Sequence, residues 1–210
     1  ECLHAPPRLH CRPVNAFMPR LAFTAGQYYH LYNRGAHRAA LFREPDNYFY
    51  VLHHMKEVSR ELSLSVIAYC LLPNHYHFLV RQDQDAPAGH LPQRVFNAYS
   101  KAYNKRYEHS GTLFQGPYRA IQIDSQRYLL NACRYIHANP VRHGLVEELK
   151  EWPYSNYLEW IGERDGTLVD RAFIRDCFGT AEQYRTFVEA YLADRLLPGG
   201  LVEMLRELEA

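Results

Sequence analysis

Residues 71–82 read LLPNHYHFLVRQ, and this stretch decides how the chain folds. The run before it, LSVIAYCLLP (64–73), is apolar and rich in strand-forming residues. Pro73-Asn74 then makes a tight turn, and HYHFLVRQ (75–82) resumes in extended form, which predicts an antiparallel hairpin. Side chains alternate faces along a strand, so His75 and His77 share one face and Tyr76 takes the other. Two imidazoles on one face make a half-site for a divalent metal. A lone His-x-His is also common in strands without a metal, so the rest of the chain has to decide its meaning.

Outward from the hairpin, GQYYHLYNRG (26–35) reads as a strand ending in a turn at Asn33-Arg34-Gly35. In EPDNYFYVLHHMKEVSREL (44–62), Pro-Asp-Asn cap chemistry precedes Tyr48, Val51, Leu52, Met55 and Val58 at helical spacing. His53 and His54 lie within this helix and read as structural or surface residues. LPQRVFNAYSKAYNKRYEHSG (91–111) predicts a second helix, GPYRAIQI (116–123) a short strand, and DSQRYLLNACRYIHANPVRHG (124–144) a third helix. Asp124 or Ser125 caps that helix, and Pro140 falls close to its end.

The order β-α-β-β-α-β-α predicts an α+β, ferredoxin-like antiparallel sheet with helices packed on one face. Residues 1–17, with three prolines and no periodicity, read as a disordered leader, with Met18 an alternative start. Residues 18–157 read as the main domain. Residues 158–210 read as an acidic, helical C-terminal extension broken by Gly162, Gly166, Gly179 and Pro198-Gly199-Gly200.

No apolar run approaches a membrane span, and no secretory pattern is visible in the sequence. The five cysteines are scattered, with no C-x-x-C pair, which argues against a disulfide framework and fits the cytoplasm. Charge is unevenly spread. Residues 92–142 hold eight bases and two acids, a net +6, whereas residues 143–210 hold seven bases and fourteen acids, a net −7. A basic middle is the electrostatic footprint of a nucleic-acid binder, and a solvated helix face is the competing reading.

The third helix supplies a second group of polar residues. Tyr128, Asn131, Tyr135, Asn139 and Arg142 fall on one stripe at i+3/i+4 spacing, opposite Leu129, Leu130, Cys133 and Ile136. A tyrosine hydroxyl can attack phosphorus but is a weak nucleophile at its ordinary pKa of about 10, so it needs a metal or a base. The Asn139 amide oxygen, one turn after Tyr135, could complete a shell begun by His75 and His77. With 17 tyrosines in the chain, a packing role for Tyr135 is the competing reading.

PNHYHFLV, LFQGPYRAI, YLLNACRYIHANPVRHGLV and WPYSNY together resemble the REP-associated tyrosine transposases, members of the single-tyrosine HUH (His-hydrophobic-His) transposases, over about residues 26–157. The resemblance implies a divalent metal, Mg²⁺ or Mn²⁺, held by His75, His77 and Asn139. It implies Tyr135 as the nucleophile, a 5′-phosphotyrosine product with a free 3′-hydroxyl, and single-stranded or hairpin DNA from repetitive extragenic palindromes as substrate. Tyr76 stands where the family tolerates a bulky apolar residue.

Candidate DNA contacts are Arg34 and Arg38 after the first strand, and Arg94, Lys101 and Lys105 on one stripe of the second helix with Asn97. To these we add Phe114, Tyr118 and Arg119 around the Gln-Gly turn, and Arg142. The sequence reading is therefore a metal-dependent DNA transposase or single-strand endonuclease, monomeric or homodimeric and not membrane-bound. Its rivals are an HUH replication initiator or relaxase, a repeat-DNA-binding regulator without catalysis, and a zinc hydrolase, which lacks an obvious carboxylate base near the motif.

Overall fold

The computed structural model describes residues 21–194. The expected leader (1–17), Met18, Cys2, Cys11 and the break at Pro198-Gly199-Gly200 lie outside the described residues. Four strands, β1 (Tyr28–Arg34), β2 (Leu64–Leu72), β3 (His75–Gln82) and β4 (Arg119–Ile123), form one antiparallel sheet in the order β2-β3-β1-β4. The main helices are α1 (Pro45–Glu61), α2 (His90–Tyr107) and α3 (Gln126–Arg142). Three shorter ones follow: α4 (Tyr157–Trp160), α5 (Arg171–Phe178) and α6 (Ala181–Asp194).

The hairpin forms as its sequence predicts. Leu72 pairs with His75 across Pro73-Asn74. The Pro73 carbonyl, turned outward, accepts the backbone N–H groups of Leu41 and Phe42 at 2.7 and 3.0 Å, so the turn also anchors the segment after β1. Ser125 caps α3 by accepting from the Tyr128 N–H at 3.3 Å, and Pro140 sits two residues before the helix ends at Arg142.

The helices cover both faces of the sheet, not one as expected from the sequence. Tyr76, Phe78 and Val80 of β3 join Tyr29, Leu31, Tyr69 and Leu71 in a core under α1 and α2. Leu79 joins Ala68, Cys70, Leu72 and Ile123 in a second core under α3. The reason lies in β2 and β3, which carry apolar side chains at both parities; a strand of that kind needs cover on both sides. A register shift between Val66 and Ala68 serves the same end. Val66 opposes Val80 in the first core, Ala68 opposes Leu79 in the second, and Ile67 is the extra residue of a β-bulge.

β2 is an edge strand, and its outer hydrogen-bonding groups would be exposed without a cover. Residues 152–160 supply one. The Tyr154 carbonyl accepts from Leu71 N–H at 2.9 Å, Trp152 Nε1 donates to the Leu71 carbonyl at 3.0 Å, and Trp160 Nε1 donates to the Ile67 carbonyl at 3.0 Å. Asn156 does most. Its Oδ1 accepts from Tyr69 N–H at 2.8 Å and its Nδ2 donates to the bulged Ile67 carbonyl at 2.9 Å. Oδ1 also lies 2.8 Å from His137 Nε2, which must therefore be the protonated ring nitrogen, leaving Nδ1 to accept from the Tyr184 hydroxyl.

The chain has no packing break after Tyr157. Tyr157, Trp160, Phe173, Tyr184, Val188 and Tyr191 share the second core with α3, so the described part of the expected extension, residues 158–194, packs onto the domain. Arg134 extends this contact by lying 4.6 Å from the Phe187 ring centre and 5.0 Å from that of Tyr191. Cys70, Cys133 and Cys177 are free thiols, and no helix among the described residues is long and apolar enough to cross a membrane.

Asn156→Ala would strand buried partners on β2 and α3, and a loss of about 2–4 kcal/mol is expected in urea denaturation at neutral pH. Acid should weaken the fold as well. Burial lowers the His137 pKa from 6.5 to about 4, against the raising effect of its bond to Asn156. The unfolded chain takes up this proton below pH 6.5 and the folded chain only near 4. Stability should thus fall as pH drops through that window and level off above it, by up to roughly 3 kcal/mol for this group. Thermal melts from pH 7 to 4 should show the slope, and His137→Gln should make it shallower.

Candidate active site

The second face of the sheet carries a row of imidazoles. On β3, His75 and His77 point to this side with ring centres 5.2 Å apart. On β1, Tyr32 is directly opposite His77, and His30, two residues earlier, shares its face. His30 Nε2 lies 3.0 Å from His77 Nδ1. α3 crosses above, setting the Tyr135 ring edge-on to His77 at 5.5 Å between centres. Asn139 follows one turn later; its Nδ2 donates to the Tyr135 carbonyl at 2.9 Å. That bond uses the nitrogen end of the amide and leaves Oδ1, fully buried, without a partner.

The stripe Tyr128, Asn131, Tyr135, Asn139, Arg142 is not a solvent face along its length. Asn131, Tyr135 and Asn139 are buried, because α3 is sandwiched between the sheet and α6. Arg142 remains exposed at the helix end, its guanidinium 5.2 Å from the Tyr135 ring centre and 5.7 Å from that of Tyr191. A cavity of about 480 Å³ opens at this end, lined among others by Arg34, Arg38, Asn74, His75, His77, Tyr135 and His143. Tyr128 is not among its lining residues. Burial, with Tyr32 and Asp124 nearby, raises the Tyr128 pKa above the ordinary phenol value.

The two motif histidines differ in exposure. His75 is half-buried at the rim, whereas His77 is 1 % exposed. The His75 Nδ1 lies 2.7 Å from the Asn74 Oδ1, an atom that only accepts, so Nδ1 carries the proton and Nε2 keeps its lone pair. Burial, helped by His143 and Arg34, lowers the His75 pKa to about 3. Burial and then His30 hold His77 well below the ordinary range. Both rings are neutral at neutral pH, the form in which imidazole binds a metal.

His77 Nε2 and Asn139 Oδ1 are both enclosed and unpartnered, which is the state expected of atoms reserved for a ligand. Among the described residues no three His, Cys, Asp or Glu side chains form a metal cluster, so a cation here would rest on two imidazoles and one amide oxygen. Those donors suit a divalent ion with positions left for other oxygens.

The basic candidates divide between locations. Arg34 and Arg38 line the cavity and also a neighbouring one of about 520 Å³ with Ala36, His37, Thr112, Phe114 and Gln115. His37 and Arg38 both have left-handed backbone, with φ of 53° and 60°. Gly35 precedes them because a Cβ there would sit 2.1 Å from the Ala39 carbonyl oxygen. Partial burial, then Arg38 and Arg119, lower the Arg34 pKa, while Tyr135 raises it. Arg119 is exposed on β4, paired in register with Tyr32.

Phe114 packs edge-on against Phe96, 5.1 Å between centres, and Tyr118 is half-buried against the first core. Arg94, Lys101 and Lys105 lie on the exposed side of α2, across the sheet from Tyr135, and Arg94 pairs with Glu61. His30, Asn74 and His143 were not picked out from the sequence. His143 follows Asn139 by one helical turn and was within reach of that signal, whereas His30 needed the pairing of β1 with β3.

An antiparallel sheet with a histidine pair on an inner strand, faced by a helix carrying a tyrosine and an amide, defines an α+β class with one polar site between sheet and helix. The chain belongs to the IS200-like transposase family, whose model matches residues 24–139, more than half of the chain. It is 30 % identical over 113 residues to a Haemophilus influenzae protein provisionally assigned as a REP-associated tyrosine transposase, covering 49 % of this chain and 64 % of that one. The chain thus spans just under two thirds of that relative. It is 23 % identical over 127 residues to the Escherichia coli K12 REP-associated tyrosine transposase, covering 53 % and 71 % respectively. Its fold matches a solved structure of a REP-associated tyrosine transposase bound to a REP hairpin, with a TM-score of 0.59 at 19 % identity over 72 % of this chain and 92 % of the other.

Because His77 is enclosed and His75 is not, His77→Ala should cost about 2–4 kcal/mol through the cavity it leaves. His75→Ala should cost about 1 kcal/mol or less, the usual range away from the core. Paired denaturation curves of the two variants would check the difference.

Proposed function

We propose that this chain is a metal-dependent tyrosine transposase that cleaves and rejoins single-stranded, hairpin-forming repetitive DNA. The observation that carries the reading is the pair of enclosed, unpartnered acceptors, His77 Nε2, whose ring meets Tyr135 edge-on, and Asn139 Oδ1, one helical turn after Tyr135. His75, His77 and Asn139 would hold Mg²⁺ or Mn²⁺. When bound, the cation would polarise the scissile phosphate and ease charge build-up on its oxygens.

The Tyr135 oxygen attacks phosphorus, forming a Tyr–O–P bond as the bond from phosphorus to the 3′ oxygen breaks. The phenol loses its proton and the departing 3′ oxygen gains one. The result is a 5′-phosphotyrosine and a free 3′-hydroxyl. Rejoining is the reverse: a 3′-hydroxyl attacks the phosphotyrosine and regenerates the phenol. Arg142, against the Tyr135 ring, and Arg34, on the cavity wall with Tyr135, would meet the incoming phosphate. Arg38 extends the positive lining outward along the cavity. The line of attack requires an unpaired backbone at the scissile step, which is the reason for single strands beside a hairpin as substrate. Arg119, exposed on β4 farther out, would add affinity without sequence information.

The test is incubation with end-labelled single-stranded hairpins and Mn²⁺, followed by denaturing electrophoresis. Wild type should give a covalent protein–DNA band. Tyr135→Phe removes one oxygen and keeps the ring contacts with His77 and Arg142, so hairpin binding should persist while cleavage and adduct vanish together. Tyr128→Phe should retain both. EDTA should abolish cleavage and Mg²⁺ or Mn²⁺ restore it. An adduct on any other tyrosine, or cleavage undiminished by chelator, would falsify the mechanism.

A further inference from the structure

His30 has no part in the reaction as described, yet it is among the most enclosed polar side chains of the molecule. It is 1 % exposed, and its one hydrogen bond is the 3.0 Å contact from Nε2 to His77 Nδ1, while its own Nδ1 has no partner. Its ring also lies 5.1 Å from those of Tyr32 and His77. A buried imidazole with one unpaired nitrogen is costly to keep, and a leucine would fill the place without that cost. The cost points to what the other nitrogen does.

The two rings can share their hydrogen bond in two ways. If His30 Nε2 donates, His77 Nδ1 is the acceptor and His77 Nε2 carries a proton aimed at the neighbourhood of Asn139 and Tyr135. If His77 Nδ1 donates, His30 Nε2 accepts and His77 Nε2 presents a bare lone pair. Only the second arrangement leaves His77 able to coordinate. In that arrangement His30 carries its single ring proton on Nδ1, and its Nε2, 3.0 Å from His77 Nδ1, is the acceptor. Asn74 performs the same service for His75, accepting from its Nδ1. Each motif histidine therefore has its own support on Nδ1, drawn from the turn for one and from the neighbouring strand for the other.

We propose that His30 is a positioning residue: it accepts a hydrogen bond from His77 Nδ1, fixing the tautomer and ring orientation that turn Nε2 toward the metal position. The inference rests on the metal reading above. Outer partners of this kind change metal affinity about 10- to 100-fold when removed.

The test compares wild type, His30→Leu and His30→Gln as purified full chains without DNA. Mn²⁺ affinity is read by electron paramagnetic resonance of the free ion, and the His77 tautomer by ¹⁵N-detected ring shifts of the metal-free protein. Circular dichroism melts confirm that each variant is folded. Wild-type His77 should be protonated on Nδ1. His30→Leu, lacking the acceptor, should bind Mn²⁺ about 10- to 100-fold more weakly. His30→Gln, whose side-chain oxygen can stand near the Nε2 position, should recover most of the loss and the wild-type tautomer. A His77 protonated on Nε2 in wild type overturns the proposal, as does wild-type Mn²⁺ affinity in folded His30→Leu. Equal loss in the Leu and Gln variants also overturns it, since packing alone would then account for the effect. Failure of wild type to bind Mn²⁺ removes the metal reading itself, and the tautomer measurement then decides the positioning role alone.

Discussion

Strand β3 cannot be turned over, and the rest of the molecule follows from that. Tyr76, Phe78 and Val80 belong to one apolar core and Leu79 to another, so a one-residue slip would drive imidazoles under α1 and α2 and aromatic rings under α3. Its neighbours are fixed in turn. β1 must set Tyr32 opposite His77, and β2 must use a bulge at Ile67 to keep both its faces apolar in register with β3. The histidines are held by a strand paired on both sides, and the tyrosine by a helix pressed onto that strand.

The second core shows how the site end of α3 is kept in place. His137, Asn156 and Tyr184 join the helix, the segment covering the β2 edge, and α6 through hydrogen bonds in which every participating side-chain role is assigned by its neighbours. Arg134 and Arg142 rest on aromatic rings of α6 farther along the same helix. Residues beyond the 24–139 span of the family model therefore brace the helix that carries Tyr135.

The electrostatics of the site divide by depth. At the bottom, burial keeps His30 and His77 neutral, and at the rim partial burial beside His143 and Arg34 does the same for His75. At the mouth, Arg34, Arg38 and Arg142 supply positive charge around the Tyr135 ring and the cavity. Neutral donors below and cations above suit the proposed reaction, in which a phosphodiester would enter from solvent and meet Tyr135 at the wall.

The sequence by itself determined the hairpin, the order of elements, the shared face of His75 and His77, and the one-turn neighbourhood of Tyr135 and Asn139. These are local consequences of turn chemistry and of periods two and 3.6, which need no knowledge of distant residues. It did not determine that helices cover both faces, because a strand's second apolar parity does not say what will cover it. Nor could it show that residues 157–194 pack into the second core, since Asn156 reads as a loop residue until the β2 edge lies beside it. Local spacing marked α3's polar stripe; only the sheet beneath it and α6 beside it made that stripe an enclosed wall. His30 is 47 residues from His77 in the chain and 3.0 Å from it in space, and strand pairing alone closes that distance.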